Sequence, residues 1–453
     1  MGLLFGTDGV RGVANETLDN NRAYRVGLAT AWQLAEQKGS QPVVVIGKDT
    51  RISSDMLEAA LSAGLCAGGA NVVQLGVVPT PATAYLTVAN HADAGIVISA
   101  SHNPYQYNGI KIFSSQGYKI SDELEAAIER MVLSQGVMPL KTGGGLGQIY
   151  NGHHALDGYT HYLITTVDRP AITDLRVLID CANGAASKTA RRIFSRLGIE
   201  VSYINDQPNG VNINDHCGST HLDLLAERVV SGCYDLGLAF DGDADRCLAV
   251  DEKGGVVDGD QMLAICAADL KKQGKLKNNG FVATVMSNLG LHKYAGEHGM
   301  KLFCSGVGDR YVLELMRDKG MVLGGEQSGH IIFLEHMTTG DGQLSGLQFL
   351  QIVAKNMVPV SQLVSAVKQY PQVLLNVAGP HDNAAKDALT NCAPVQAAVA
   401  EGEKRLNGEG RILLRPSGTE ALIRVMVEAG TEAEAKQVAQ LVAAAVENAK
   451  KQF

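Results

Sequence analysis

The sequence is poor in the features that mark secreted, membrane-bound and nucleic-acid-binding proteins. Its 453 residues contain only 8 cysteines, which never form a C-x-x-C pair, so neither a disulfide framework nor a zinc site is expected. The chain starts with neither a basic segment nor a long apolar run, and its net charge is -8 at pH 7. These properties argue against a signal peptide and against surfaces for nucleic acid or anionic membranes. We therefore expect a cytoplasmic protein with reduced thiols, whose partners are small molecules, with no nucleic acid and no membrane.

The chain does contain a repeated alternation of apolar strands and helical segments. Its length predicts several domains, about three or four. Strand–helix–strand patterns recur three times at a spacing of about a hundred residues, and after Pro371 the pattern becomes that of a small α+β domain. The expected fold class is α/β, with three similar βαβ domains of mixed or parallel sheets followed by a C-terminal α+β domain. The expected division is 1–150, 151–255, 256–368 and 369–453, with a glycine-rich linker at Pro139–Gly152.

A candidate nucleophile follows one of the apolar strands. Ile96, Val97 and Ile98 favour a strand buried on both faces, and Pro104 cannot continue a ladder. Ser101 is therefore predicted on a turn at the carboxyl end of a strand, where open α/β sheets bind their ligands. An ordinary polar loop remains the alternative, since serine, asparagine and proline are common in turns.

An acidic turn follows another apolar strand. In the sequence DGDADR, Asp241, Asp243 and Asp245 alternate directly after Leu236–Phe240. Carboxylates this close repel each other by about 4 kcal/mol per pair near a protein surface, so the turn favours a cation, and oxygen ligands favour Mg²⁺. A calcium-binding EF-hand is excluded because Arg246 stands where that loop needs glycine. A solvated acidic turn remains the alternative, and three side chains leave Mg²⁺ short of its six oxygens.

A hairpin tip near the end of the chain is suited to a phosphate. The sequence RPSGTE places the hydroxyls of Ser417 and Thr419 beside the guanidinium groups of Arg415 and Arg424. Arginine binds two phosphate oxygens at once, and turn amides add further donors. Alone, this sequence is more often an ordinary β-turn.

A glycine-flanked loop and one lysine are further candidates. In GGEQSGH, Glu326 is suited to accept hydrogen bonds from sugar hydroxyls, with Ser328 and His330 beside it. Lys111 is predicted as a cation at a strand edge, with an ordinary surface charge as the alternative. Taken together, a hydroxyl nucleophile, a Mg²⁺ turn, a sugar-binding loop and a phosphate clamp indicate phosphoryl transfer on a sugar phosphate, in which catalysis is mostly positioning and charge neutralisation.

The four motifs ISASHNP, DGDADR, GGEQSGH and RPSGTE occur in this order across nearly the whole chain. In this the sequence resembles the α-D-phosphohexomutases. Within that family, GTDGVRG, TVMSNLG and VGDRYV are similar to the bacterial branch that acts on glucosamine phosphate. The resemblance implies four domains around a central cleft, is compatible with a homodimer, and implies interconversion of glucosamine 6-phosphate and glucosamine 1-phosphate through glucosamine 1,6-bisphosphate.

The resemblance also implies a role for each motif. Ser101 would be the phosphoserine, and its phosphate would complete the Mg²⁺ shell of the three aspartates. Glu326 and Ser328 would hold the sugar. The phosphate that is not reacting would be bound by Arg415, Ser417, Gly418, Thr419 and Arg424. Proton transfer and charge stabilisation would involve His102, Lys111, Arg11, Arg246 and His330.

Other functions stay open at this point. Tyr107 stands where the glucosamine branch has an aspartate and is more similar to the phosphomannomutase/phosphoglucomutase pattern, which leaves the preferred sugar undecided. A sugar-phosphate sensor without turnover and a Mg²⁺-dependent phosphatase use the same groups.

Overall fold

The structure is a computed structural model that describes residues 4–6, 9–134, 138–169, 172, 174–417 and 420–452. Its internal contacts divide the chain into two units. The first comprises Met1–Met286 and Gly299–Ala366, and the second comprises Ser287–His298 and Val367–Phe453. Among the described residues, no helix combines the length and the apolar character needed to cross a membrane.

The first unit begins with a seven-stranded sheet. Its strands are Phe5–Gly6 (β1), Gly9–Val13 (β2), Val43–Lys48 (β3), Asn71–Val77 (β4), Ala94–Ile98 (β5), Tyr107–Ser114 (β6) and Ile149–Asn151 (β7). Their spatial order is β1-β2-β6-β5-β3-β4-β7. Strands β3, β4 and β5 are parallel, whereas β6 is antiparallel to both β5 and β2. The carboxyl ends of β3 and β5 therefore lie side by side. The helices of this part are Asn20–Lys38 (α1), Ile52–Ala67 (α2), Thr80–Ala89 (α3) and Asp122–Leu133 (α4).

Helices α1 and α2 cross closely because each has a glycine at the contact. A Cβ atom on Gly64 would lie 2.0 Å from the carbonyl oxygen of Tyr24, and one on Gly27 would lie 2.3 Å from that of Leu61. Asp19 caps the start of α1 by accepting a hydrogen bond from the Arg22 amide. The first helix pair thus forms a close-packed layer.

The segment predicted to be a linker, Pro139–Gly152, is partly sheet. Ile149–Asn151 form β7, which pairs in parallel with Val72–Gln74 of β4. The linker prediction is therefore wrong for this part. All three side chains of β7 are exposed, so the strand is held through its backbone and leaves no apolar pattern in the sequence.

Two smaller sheets complete the first unit. The strands of the second sheet are Arg176–Asp180 (β8), Glu200–Ile204 (β9), Leu236–Phe240 (β10), Cys247–Asp251 (β11) and Val256–Val257 (β12), in the spatial order β12-β11-β10-β8-β9. Those of the third sheet are Gly280–Thr284 (β13), Lys301–Ser305 (β14), Leu323–Gly325 (β15) and Ile331–Phe333 (β16), in the order β14-β13-β15-β16. The helices are Leu156–Thr165 (α5), Ala186–Phe194 (α6), Asp223–Ser231 (α7), Gly259–Lys272 (α8), Leu289–Glu297 (α9, part of the second unit), Asp309–Lys319 (α10), Gly342–Asn356 (α11) and Val360–Val364 (α12).

The second unit contains a three-stranded antiparallel sheet in the order β17-β19-β18, formed by Gln372–Ala378 (β17), Arg411–Pro416 (β18) and Leu422–Glu428 (β19). Its further helices are Asn383–Thr390 (α13), Ala393–Leu406 (α14) and Glu432–Ala449 (α15). One face of α15 is buried with β19 in the apolar core of this unit. The predicted fold class, α/β with mixed sheets and a C-terminal α+β part, is confirmed.

Candidate active site

Ser101 lies on a tight turn after the carboxyl end of β5. All five residues of β5 are buried, which confirms the predicted strand with two apolar faces. Ser101 is 1% exposed and has a φ of +52°, in the left-handed region that few residues other than glycine adopt. Its Oγ donates a hydrogen bond of 2.6 Å to Asp241 Oδ2, although the two residues are 140 positions apart. The serine and the acidic turn therefore meet, as the family resemblance implies.

The acidic turn connects the antiparallel strands β10 and β11. Asp241, Asp243 and Asp245 are at most 5% exposed, and one carboxylate oxygen from each lies within 4.8 Å of the others. Burial and the two neighbouring carboxylates raise the pKa of Asp241 well above its usual value. The alternative of a solvated acidic turn is wrong, because all three carboxylates are inside the protein.

The acidic turn has the donors that a divalent cation needs. Asp243 Oδ1 and Asp245 Oδ1 are buried and have no hydrogen-bond partner among the described residues. Buried oxygens without a partner are costly, and three carboxylates are the oxygen donor set that Mg²⁺ prefers. These residues therefore fit Mg²⁺, with further oxygens to come from water and a phosphate.

Two neighbours hold Asp243. Thr80, at the start of α3, donates from Oγ1 to Asp243 Oδ2 over 2.6 Å and from its amide to the Asp243 carbonyl over 2.9 Å. Lys111 is 3% exposed, and its Nζ lies 3.4 Å from Asp243 Oδ2 and 3.9 Å from Asp245 Oδ2. The predicted strand-edge position of Lys111 is wrong, because β6 is an inner strand between β2 and β5. The surface-charge alternative is also wrong, because Lys111 is buried.

A histidine and two arginines lie near the serine and the acidic turn. Burial, Arg246 and Arg11 lower the pKa of His102 to about 4, so its ring is neutral at pH 7. Arg246 Nε lies 3.8 Å from Asp245 Oδ1. Arg11 is on β2, paired with Gly109 of β6. The structure thus brings these predicted charge-bearing residues to one place.

His330 is buried with both ring nitrogens near protein partners. Nδ1 lies 3.5 Å from Asp245 Oδ2, and the amide of Gly340 donates to Nε2 over 3.1 Å. Burial lowers the pKa of His330, whereas the carboxylates of Asp245, Asp309 and Glu326 together raise it to about 9, but the hydrogen bond donated by the Gly340 amide requires Nε2 to be unprotonated. Because Nε2 accepts the hydrogen bond from the Gly340 amide, we place the ring proton of His330 on Nδ1, which faces Asp245.

The loop GGEQSGH is tied by its backbone to the strand that follows the acidic turn. The Cys247 amide donates to the Gly329 carbonyl over 3.0 Å. Gly329 has a φ of +89°, and a Cβ there would lie 2.3 Å from the Cys247 carbonyl oxygen, so only glycine fits. Glu326 Oε1 accepts from the Gly308 amide over 3.0 Å. Ser328 Oγ is buried and has no hydrogen-bond partner within the described ranges.

The second unit presents two arginines side by side. Arg415 of β18 pairs directly with Arg424 of β19, so the two side chains project from the same face of the sheet. Burial and the positive charge of Arg424 lower the pKa of Arg415. Arg424 Nη2 is 3.0 Å from Glu420 Oε2. Two facing guanidinium groups are the arrangement that the predicted phosphate clamp requires.

The turn between these strands is supported by a buried lysine. Lys386 is 2% exposed, and its Nζ donates to the carbonyl oxygens of Ser417 and Glu420. Ser417 is 5% exposed. Gly418 and Thr419, which belong to the predicted phosphate-binding residues, lie outside the described residues.

Three residues that hold the Ser101 turn and Asp243 were not predicted from the sequence. Thr80 contacts Asp243, and Arg51 and Asn214 both donate to the Ser101 carbonyl. Arg51 lies three residues after the end of β3, which lies beside β5 in the sheet. Knowing the strand order would have pointed to Arg51, but the local sequence around Asn214 carries no such signal.

Comparison with known proteins shows the family of this chain. Models of the phosphoglucomutase/phosphomannomutase family match at residues 2–136 (alpha/beta/alpha domain I), 157–255 (domain II), 258–370 (domain III) and 374–445 (C-terminal domain). The chain therefore belongs to the phosphoglucomutase/phosphomannomutase family, which confirms the resemblance seen in its motifs.

Individual relatives cover nearly the whole chain. It is 52% identical over 429 residues to a phosphoglucosamine mutase of Acetivibrio thermocellus, covering 94% of this chain and 95% of the relative. It is 50% identical over 449 residues to that of Desulforamulus reducens, covering 99% and 100%. A phosphoglucomutase/phosphomannomutase family protein from Burkholderia thailandensis has a similar crystal structure, with a TM-score of 0.81, 25% identity, and coverage of 99% of this chain and 97% of that one.

Proposed function

We propose that this chain acts as a phosphoglucosamine mutase, which interconverts glucosamine 6-phosphate and glucosamine 1-phosphate. The observation that carries the proposal is the 2.6 Å contact of Ser101 Oγ with Asp241, inside a group of three buried carboxylates. This arrangement suits phosphoryl transfer through a serine. The choice of glucosamine is supported by full-length relatives of 50–52% identity that carry this name.

In the proposed reaction Ser101 starts as phosphoserine. A free hydroxyl of the sugar phosphate attacks the phosphorus, so that an O–P bond to the sugar forms while the bond to Ser101 Oγ breaks. The hydroxyl proton passes to a basic group of the site. The product of this half-reaction is glucosamine 1,6-bisphosphate. After the bisphosphate has turned round, Ser101 Oγ accepts its other phosphoryl group, and the sugar oxygen that leaves takes up the proton.

The residues around Ser101 have separate proposed tasks. Asp241, Asp243 and Asp245, with the phosphoserine, would bind Mg²⁺, which neutralises charge on the transferring group. Lys111 places a buried positive charge 3.4 Å from Asp243 Oδ2, and Thr80 fixes the same carboxylate. The groups proposed for proton transfer and charge stabilisation are His102, Lys111, Arg11 and Arg246, with His330 orienting Asp245.

Substrate binding is assigned to the two remaining loops. Glu326 and Ser328 would bind sugar hydroxyls in either orientation of the sugar. The phosphate that does not react would be bound by Arg415, Ser417, Gly418, Thr419 and Arg424. We also propose the domain division 1–150, 151–255, 256–368 and 369–453, which gives each domain one of the four site loops.

The test is turnover of glucosamine 6-phosphate by Ser101→Ala protein in the presence of Mg²⁺. We expect kcat to fall by more than about 10³-fold, because the variant has no nucleophile. Ser195→Ala is the matched control, since that hydroxyl contacts only the Arg191 carbonyl of its own helix among the described residues. Labelled phosphate from glucosamine 1,6-bisphosphate should enter the wild type and the control but not Ser101→Ala. Activity of Ser101→Ala close to wild type would contradict the proposal.

Substrate comparison separates the related functions. The phosphomannomutase/phosphoglucomutase alternative rests on Tyr107, at the start of β6. We expect the highest kcat/KM with glucosamine 6-phosphate among the phosphates of glucosamine, glucose and mannose. A higher value for glucose or mannose would favour the alternative, and net release of inorganic phosphate would indicate a phosphatase.

A further inference from the structure

A network of buried side chains holds the backbone of the Ser101 turn. The Ser101 amide donates to Ser99 Oγ over 2.9 Å. The Ser101 carbonyl accepts from Arg51 Nη2 over 2.8 Å and from Asn214 Nδ2 over 2.9 Å. The same two donors also reach the Asn103 carbonyl, at 2.8 and 3.1 Å. Both polar backbone groups of Ser101 are therefore fixed by side chains.

A single carboxylate, that of Asp49, connects the two sides of this network. Asp49 Oδ2 accepts from Ser99 Oγ over 2.6 Å and from Arg51 Nε over 2.8 Å. Its Oδ1 accepts from the Arg51 amide and from Ser54 Oγ, both over 3.0 Å. The side chains of Asp49 and Arg51 are 0% exposed. Asp49 thus orients both the hydroxyl that binds the Ser101 amide and the guanidinium that binds the Ser101 carbonyl.

The network stabilises an unfavourable backbone conformation of Ser101. Ser101 has a φ of +52°, which a non-glycine residue keeps only where its surroundings impose it. A rotation of this backbone towards a common conformation would carry the Oγ away from Asp241. A misplacement of about 1 Å at a reacting group can reduce the rate about 100-fold.

We propose that Asp49 is the positioning residue of the phosphoryl-transfer serine: through Ser99 and Arg51 it holds Ser101 in the left-handed conformation that directs its Oγ to Asp241. None of these three side chains is bonded to the Ser101 Oγ. The inference rests on the proposed mutase function and names residues to which that function assigns no role.

Two variants and a control test the inference. Ser99→Ala removes one hydroxyl and leaves the pair of Asp49 and Arg51 intact, whereas Asp49→Asn removes the charge at nearly constant shape. We expect kcat with glucosamine 6-phosphate to fall about tenfold in Ser99→Ala and about 100-fold in Asp49→Asn, with KM changed by less than about twofold. The control is Asp251→Asn, a buried carboxylate that binds the Lys253 and Gly255 amides at the far end of β11. It should keep kcat within about twofold of the wild type.

Hydrogen exchange supplies a readout that does not depend on turnover. The Ser101 amide loses its acceptor in Ser99→Ala, so its exchange should become at least about tenfold faster than in the control. If Asp49→Asn does not fold, Ser99→Ala still tests the inference. A kcat of Ser99→Ala within about twofold of the wild type, or an equal fall in the control, would overturn the inference. A wild type without turnover of glucosamine 6-phosphate would contradict the proposed function instead. In that case, faster exchange of the Ser101 amide in Ser99→Ala would still support the inference that this network holds the Ser101 turn. Unchanged exchange would overturn that inference.

Discussion

Removing divalent cations should lower the thermal stability of the first unit, because the three close carboxylates of the acidic turn then keep only protein cations such as Lys111 as counter-ions. The oxygens of Asp241, Asp243 and Asp245 lie within 4.8 Å of one another, and two unit charges at that distance repel by about 3.5 kcal/mol at an effective dielectric constant of about 20. Mg²⁺ at about 100 times its Kd would stabilise the folded state by about 2.7 kcal/mol. For a unit of about 350 residues this is a rise in Tm of about 3–4 °C, from an unfolding entropy of about 2.1 cal/mol/K per residue.

Differential scanning calorimetry with a chelator and with increasing Mg²⁺ measures this effect. The wild type should show a Tm that rises with the logarithm of the Mg²⁺ concentration above Kd. Asp243→Asn should lose most of the rise, since it removes one charged ligand from the turn. Asp251→Asn is the matched control and should keep the full rise, because its carboxylate binds backbone amides elsewhere in the same unit.

Two results would refute this reasoning. One is a wild-type Tm that is the same in chelator and in saturating Mg²⁺. The other is an equal rise in Asp243→Asn and in the wild type, which would place the cation at another site.

Three further substitutions test separate parts of the site and the fold. Lys111→Met should lower kcat about 100-fold in steady-state assays, because the site loses a buried cation next to Asp243; a kcat within about twofold of the wild type would contradict this role. Arg415→Lys keeps the charge but loses the two-pronged hydrogen bond, so KM for glucosamine 6-phosphate should rise about tenfold with kcat nearly unchanged. A fall in kcat alone would count against a phosphate clamp. Glu428→Gln should lower the free energy of unfolding of the second unit by about 3 kcal/mol in urea, because Glu428 is 0% exposed and lies 2.6 Å from Arg411 Nε; an unchanged urea midpoint would contradict it.

The strands and turns that carry the reacting groups could be predicted from the sequence. Leu236–Phe240 has the same bounds in the structure as in the sequence prediction, and the strand before Ser101 is buried on both faces as expected. Runs of apolar and β-branched residues followed by glycine, aspartate or proline are local signals, and they specify a strand and its end without knowledge of the rest of the fold.

Some features left no local signal and were predicted wrongly or not at all. The strand Ile149–Asn151 is held only by backbone pairing to β4, so its side chains show no strand pattern. Lys111 is a charged residue on a strand, and nothing in the neighbouring sequence indicates that β6 would lie inside the sheet. The order of strands decides burial, and that order depends on contacts between distant segments.

By itself, the sequence determined the residue types of the site and the turns on which they lie: a serine after one strand, three aspartates after another, and arginines on a hairpin. Only the tertiary structure decided that Ser101 meets Asp241, that Thr80 holds Asp243, and that Asp49 organises the serine turn. The first two contacts join residues more than 130 positions apart, and the third joins residues 50 positions apart. Such contacts follow from the packing and order of whole sheets, which no local run of residues encodes.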